Sequence, residues 1–394
     1  MDQFKNPYRP GAGTKPAVIA GRAAEIKKAE VLLRTVQSGA PQRSLMLYGL
    51  RGVGKTVLLN EMERMAEDLG YLSEHLEMSE NDDFRRVIAK SIRKVLLRMD
   101  KFENLKSKCL KALGVLKAFT LVMPEGPELK IDVDAVTGVG DTGDLDTDLV
   151  DLFVSLGEGA QEAGRTICFL IDEVQYLSEE AVGGLIAASH RIAQKSLPIV
   201  FICAGLPQIA ALSGDAKSYA ERLFEFIPIG QLRSGADIEA LVQPAAQHGV
   251  NYTDKALATL LQKAKGYPYF IQEFGKHAWN IAQSSPITEE DAINASISAI
   301  EALDDSFFKV RMDRATTAER DFMKAMSSLG EGPYRTAEVA AALGKQVSSI
   351  GPVRATLIKK GFVYSPGHGQ VAFTVPLFDE YIRRNHDMSS SLRT

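Results

Sequence analysis

Several common features are scarce or missing from this chain, and each absence narrows the possibilities. Only three cysteines occur in 394 residues, Cys109, Cys168 and Cys203, an odd number without paired spacing. A disulfide framework is therefore not expected, and reduced thiols in a cytoplasmic setting are. No apolar run is long enough to span a bilayer, and the opening "MDQFKNPYRPGAG" has no apolar signal core, so no membrane partner is expected. Repeats and low-complexity blocks are absent. The formal net charge is only −4, so no basic field covers the whole chain and any nucleic-acid contact must come from a local patch. What remains, 45% hydrophobic and 24% charged residues, suffices for a sizeable core and two or three domains.

One short stretch is rich where the rest is plain. "LYGLRGVGKTVLL" (47–59) matches G-x-x-x-x-G-K-[ST] at every fixed position: Gly49, then Leu50, Arg51, Gly52 and Val53, then Gly54, Lys55 and Thr56, with Val57 following. A short buried-strand run, "SLMLY" (44–48), precedes it, and a helical pattern ending in glycine (56–70) follows. Such a strand–loop–helix binds phosphate through successive backbone N–H groups and the positive end of the helix dipole. Lys55 is placed to reach the β and γ phosphates of a nucleoside triphosphate such as ATP, and Thr56 to hold Mg2+.

A second acidic site is required for hydrolysis. In "RTICFLIDEVQYL" (165–177), four apolar residues from Cys168 to Ile171 deliver Asp172 and Glu173 at a strand's carboxyl end. Asp172 is assigned to the magnesium shell and Glu173 to orienting or deprotonating the attacking water. Cys168, flanked by apolar residues, is expected in the core.

Further strand patterns at 71–78, 197–205 and 224–230 alternate with helical patterns at 81–99, 147–163, 179–195 and 207–223, which predicts a parallel α/β sheet covered on both faces. Residues from about 231 to 300 then turn helical with glycine stops, a lid.

Together the glycine loop, the Asp-Glu strand and a lid containing "KGYPYFIQEFG" resemble the AAA+ ATPases. The branch shared by origin-recognition initiators and prokaryotic STAND-like ATPases is the most similar. The resemblance implies an α/β P-loop NTPase core (1–230, with an insertion at about 100–146), a helical lid (231–315) and a winged-helix domain (316–394). It also implies that "VIAGRAAEIKKAEVLL" (18–33) places Ile19, Gly21 and Arg22 near the adenine, with Tyr267 and Pro268 from the lid. The alternative for that segment is a cap followed by an amphipathic helix. Arg222, just before the last strand, stands where the family carries an arginine finger, which acts on a neighbouring subunit and so implies a homo-oligomer with ATP; the plain alternative is an exposed helix arginine.

Two positions depart from the family pattern. The end of the fourth strand offers Cys203, Ala204 and Gly205 where a polar sensor is usual, with Gln208 as a substitute, and the lid has Tyr269, Phe270, Ile271 and Gln272 where a sensor arginine is expected. Slow or regulated hydrolysis follows from both.

Over 316–394 three glycine-closed helices precede two strand patterns around a His-Gly turn, the winged-helix order. Ser348, Ser349, Arg354, Lys359, Lys360 and, at the wing tip, His368 are the candidate contacts to double-stranded DNA. Pro352 must fall in the first turn of the third helix or kink it. Ten Lys or Arg against seven Asp or Glu in this region permit DNA binding without requiring it, and winged helices also dock proteins. The insertion predicts two strands from Lys117 joined by a Pro-Glu-Gly-Pro turn, while the acidic run Asp144 to Asp148 lacks calcium-loop spacing and suits a helix start. Six histidines form no metal-ligand pair at helical spacing, so Mg2+ held with the nucleotide is the only metal expected. The functional classes are a DNA-associated ATP-controlled switch, a STAND-like signalling or defence ATPase with a docked winged helix, and a non-hydrolysing nucleotide-binding scaffold.

Overall fold

The structure, a computed structural model, describes residues 1–100, 107–121, 133–209, 220–233 and 235–391. They fall into two compact units, one of residues 23–48 with 55–228, the other of residues 1–22, 49–54 and 229–394.

The first unit is built on a parallel sheet of β1 (Ser44–Tyr48), β2 (Leu72–Glu77), β3 (Ile167–Asp172), β4 (Ile199–Gly205) and β5 (Phe224–Pro228), in the order β2-β3-β4-β1-β5. Its helices are α1 (Ala23–Gln37), α2 (Lys55–Asp68), α3 (Phe84–Asp100), α4 (Ser107–Leu121), α5 (Leu145–Glu162), α6 (Glu179–Gln194) and the short α7 (Ala220–Leu223). All six residues of β3 are buried, as expected of a central parallel strand covered on both faces. In register, Phe169 lies opposite Phe201, and Phe153 of α5 meets both rings edge-on at 5.4 and 5.0 Å. Such edge-to-face pairs contribute about 0.5–1.5 kcal/mol beyond area burial. Cys168 and Cys203 are buried in this core, and burial pushes both thiols up. The 207–223 helix expected from sequence falls largely outside the described residues.

The insertion departs from expectation. Residues 117–121 are not a strand but the last turns of α4, and the Pro-Glu-Gly-Pro turn lies outside the described residues. From Ala112 to Thr120 every residue but the half-buried Lys117 is buried, so this stretch of α4 shows no polar stripe. An apolar run buried on all sides has no periodicity to separate helix from strand. Gly159 of α5 permits the close approach: a Cβ there would meet Cys109 Sγ at 3.3 Å. After α4, Asp144 caps α5 by accepting from the Thr147 N–H at 3.0 Å, and the fully buried Asp148 accepts from the backbone N–H groups of Thr142 and Gly143 at 2.9 and 3.1 Å. These aspartates thus hold a loop and a helix start.

The second unit contains the helices α8 (Ala236–Ala246), α9 (Asp254–Ala264), α10 (Pro268–Ile281) and α11 (Glu289–Leu303), followed by a π turn (Asp304–Phe308) and α12 (Lys309–Asp313). Residues 1–22 strap this group. The Tyr8 hydroxyl shares a 2.6 Å hydrogen bond with Tyr252 and donates to the Leu241 carbonyl, while Trp279 Nε1 donates to the Asp2 carbonyl at 2.8 Å. Gly275 lets the Tyr8 ring lie against α10, where an added Cβ would approach it to 2.7 Å.

The same unit continues through α13 (Thr317–Ser328), β6 (Tyr334–Arg335), α14 (Thr336–Ala342), α15 (Val347–Lys359), β7 (Val363–Tyr364), β8 (Gln370–Phe373) and α16 (Phe378–Ser391). The three strands form an antiparallel sheet in the order β6-β8-β7. Pro352 is the sixth residue of α15, past the first turn, so the Ser348 carbonyl lacks its usual i+4 donor. Beyond the predicted hairpin, α16 closes the domain onto the π turn: Phe308 stacks on Phe378 and Tyr381 at 5.8 and 5.3 Å, and Arg384 pairs with Asp304 at 2.6 Å.

Candidate functional site

The glycine loop follows directly from β1 and runs into α2. Gly52 and Gly54 have φ of 79° and 91°, the left-handed region that glycine occupies without a Cβ penalty. A Cβ on Gly49 would lie 2.0 Å from the Ile229 carbonyl oxygen, whereas Gly54 faces open space. Protein donors take up the loop's carbonyls. The Tyr269 N–H donates to Gly52 at 3.1 Å, and the buried Arg22 guanidinium donates to Val53 at 3.3 Å and also to Gly230. In the opposite sense, the Arg51 N–H donates to the Thr374 carbonyl at 2.9 Å, just past β8. These contacts set the loop's backbone, so the cradle is a built feature of its unit.

The segment expected near a base is placed in the same unit. Gly21 is left-handed and closely apposed to α8, where a Cβ would meet Ala236 Cβ at 2.6 Å, and Ile19 is half-buried. Tyr267 precedes α10 as its N-cap residue, and Pro268 opens the helix. Leu50 and Val57 are half-buried.

In the other unit, Lys55 and Thr56 begin α2 and Asp172 ends β3. The Thr56 hydroxyl donates to Asp172 Oδ2 at 2.6 Å, and Asp172 Oδ1 accepts the Glu173 N–H at 2.8 Å. Burial pushes the Asp172 carboxyl above the usual carboxylate range, partly offset by the Thr56 hydrogen bond. Glu173 is left-handed, with φ 54° and ψ 39°, a conformation that costs a non-glycine residue about 1–3 kcal/mol and recurs where function fixes a side chain. Its carboxylate accepts from the Gln175 amide, which sequence reading did not single out. Gln175 lies on a 3-10 turn of three residues, too short for any periodic signal. Gln208 Oε1 is buried without a hydrogen-bond partner among the described residues. Arg222 is exposed at the end of α7.

The hydroxyl–carboxylate pair of Thr56 and Asp172 supplies the hard oxygen donors that magnesium takes, so these two residues fit Mg2+. Among the described residues there is no cluster of three metal-ligating side chains.

Of the residues expected at DNA, Ser348, Ser349, Lys359 and His368 are exposed. Two others are engaged within the domain. Arg354 Nη2 donates to Ser365 Oγ at 3.0 Å and to the Gln370 carbonyl at 3.1 Å, bracing the hairpin, while Lys360 pairs with Glu319 at 3.0 Å.

A five-stranded parallel sheet with the glycine loop after β1 and paired acids after β3 defines a P-loop nucleoside triphosphatase fold. Residues 18–202 match the model of the AAA ATPase domain, and residues 305–382 match a domain of unknown function, DUF8462. The chain is similar in structure to the Walker-type ATPase of Pyrococcus abyssi (15% identity, TM-score 0.60, covering 95% of this chain and 98% of that one). It also aligns with the ORC1 protein of Aeropyrum pernix in complex with DNA (15% identity, TM-score 0.47, 96% and 95%). A third match is Cdc6p of Pyrobaculum aerophilum (14% identity, TM-score 0.48, 98% and 99%). No curated protein matches in sequence. Among the described residues no helix is long and apolar enough to cross a membrane.

Proposed function

We propose that this chain binds ATP with Mg2+ at the 49–57 loop and hydrolyses it slowly, as a switch in which nucleotide and C-terminal domain are coupled. The observation that carries the reading is the Arg51 N–H to Thr374 carbonyl hydrogen bond, which ties the phosphate-type loop to the C-terminal domain. In this reading the core runs to about residue 230, the lid to 315 and a winged-helix domain from 316 onward. The observed order of three helices and a small antiparallel sheet supports the last of these.

Backbone N–H groups of the loop and the α2 amino terminus bind phosphate oxygens, Lys55 offsets the β and γ charge, and Thr56 and Asp172 hold the cation. When bound, the cation neutralises charge that develops on the transferred phosphoryl group. Glu173 orients the attacking water and accepts its proton at a carboxylate oxygen. Arg22, Ile19, Gly21, Tyr267 and Pro268 frame the base, and Arg222 serves a neighbouring subunit in an ATP-dependent homo-oligomer.

A second reading, ATP-controlled binding to duplex DNA, draws on the exposed α15 face and wing tip at Ser348, Ser349, Lys359 and His368. The docked switch is favoured because Arg354 and Lys360 are spent on internal contacts. Hydrogen exchange over 49–56 and 362–376, with and without ATP and Mg2+, tests the coupling: both segments should change together. A change confined to 49–56 removes it. Turnover and oligomer size measured with and without duplex DNA separate the two readings.

A further inference from the structure

The end of β4 presents Cys203, Ala204 and Gly205, three residues with no polar side chain to reach a phosphate or a water. A polar group nevertheless stands there, supplied from the neighbouring turn. Gln175 Oε1 accepts the Leu206 N–H at 2.9 Å, and its Nε2 donates to Glu173 Oε2. The amide has only one consistent orientation, because a backbone N–H can only donate and an ionised carboxylate can only accept. Gly205 makes the arrangement sterically feasible: a Cβ at that position would sit 2.7 Å from Val174 Cγ2 and 3.1 Å from Gln175 Oε1. Glu173 is therefore restrained at both ends, by its left-handed backbone and by the amide on its carboxylate.

We infer that Gln175 is a positioning residue for the Glu173 carboxylate, fixing its direction by bracing it against the carboxyl end of β4. The inference rests on the proposed role of Glu173 in orienting and deprotonating water. A carboxylate free to rotate about its side-chain torsions spends less time within hydrogen-bond reach of the water it must activate. Gln175 also links the β4 end to that carboxylate, so a shift at Leu206 is transmitted to the water-activating group.

Turnover and ATP affinity would be measured on the full chain for Q175A, Q175E, G205A and E173Q, and for Q175A combined with each of the last two. Q175A should lower kcat about tenfold or more while leaving ATP affinity unchanged, since its amide contacts lie at Glu173 and Leu206 rather than at the glycine loop. Q175E, of equal size, keeps an acceptor for Leu206 but has no donor for Glu173, and should not restore turnover. G205A should lower turnover by displacing Gln175, and its effect should be smaller in the Q175A background, where only the contact with Val174 Cγ2 remains. Q175A should add nothing to E173Q, because a residue acting through Glu173 has nothing left to position. Normal or raised kcat in Q175A, full activity in Q175E, or a further loss on top of E173Q would overturn the inference. If E173Q itself retains normal turnover, the general-base reading fails and the inference falls with it. If E173Q is inactive while Q175A keeps normal turnover, only the inference fails.

Discussion

The Thr56 hydroxyl and the Asp172 carboxylate meet at 2.6 Å, joining the first turn of α2 to the end of β3. Two residues 116 positions apart in sequence are thereby held as one oxygen cluster. Lys55, buried at the start of the same helix, precedes Thr56 directly.

Lys55→Ala should abolish tight ATP binding, because a compact ammonium is the main cation facing the β and γ phosphates. Thr56→Ala should instead leave Mg2+-free nucleotide binding in place and weaken the gain that Mg2+ confers. Calorimetric titrations with and without Mg2+ distinguish the two. Unchanged affinity in Lys55→Ala would remove the phosphate-loop reading.

Glu173→Gln keeps side-chain size and the Asp172 oxygens but deletes the proton acceptor. Nucleotide binding should persist while turnover falls by about a hundredfold or more. Single-turnover kinetics would show whether the loss is in the chemical step, as expected, or in product release.

Arg222 is exposed just before β5, a placement open to a neighbouring subunit. Mixing Arg222→Ala with Lys55→Ala subunits should recover part of the activity, because one mixed interface pairs an intact loop with an intact arginine. Activity that stays at the sum of the two inactive preparations, or that resides in monomers, excludes action in trans.

Glu319 closes the capping box of α13 and accepts from Lys360. Its burial alone would raise the carboxyl, but the Thr316 N–H and the Lys360 ammonium outweigh that and hold it below the usual value of 4.5. A lowered folded-state value means stability that is fully present above the unfolded value and lost as pH falls through the folded one. Thermal unfolding followed from pH 7 to pH 3 should show that loss in the unmodified chain and a flatter profile in Glu319→Gln. Lys360→Ala, which leaves a buried carboxylate short of a partner, should destabilise by about 1–3 kcal/mol at neutral pH.

Much of the core was legible because its signals are local. The run "SLMLY" is β1 to the residue, and the Asp-Glu pair falls at the end of β3 as an apolar run into acids implies. Long-range contacts left no such mark. Nothing in "NPYRP" announces that Tyr8 reaches Tyr252 and packs on Gly275, since hydrogen-bond partners more than two hundred residues away have no period. The end of α4 has no polar stripe because its 112–120 stretch is buried almost all round, and α16 is fixed by long-range contacts, Phe378 and Tyr381 on Phe308 and Arg383 on the Ser327 carbonyl, that leave no local mark. Gln175 was in plain view in "DEVQYL", but its role depends on Leu206, just past the end of β4. Arg354 and Lys360 read as basic contacts until their partners, Gln370 and Glu319, came into place.

Those last two pairings change what duplex binding should look like. If α15 meets DNA, its free charge is Lys359, since Lys360 is held by Glu319 and Arg354 by the hairpin. Each Lys or Arg that neutralises a phosphate releases counterions and steepens the fall of affinity with salt by about one unit. Lys359→Ala should therefore flatten the salt slope by about one unit, whereas adding Lys360→Ala should lower stability with little further change in slope. Arg354→Ala should loosen the hairpin and weaken binding at all salt concentrations by misplacing the wing. Anisotropy titrations of a labelled duplex at two salt concentrations, with ATP and Mg2+ present, read all three. A slope change of two to three units on removing all three charges would show that Arg354 and Lys360 leave their internal partners on the duplex. No binding by the unmodified chain at low salt would sink the DNA reading, leaving the loop-docked C-terminal domain as a switch that reports nucleotide state by some other contact.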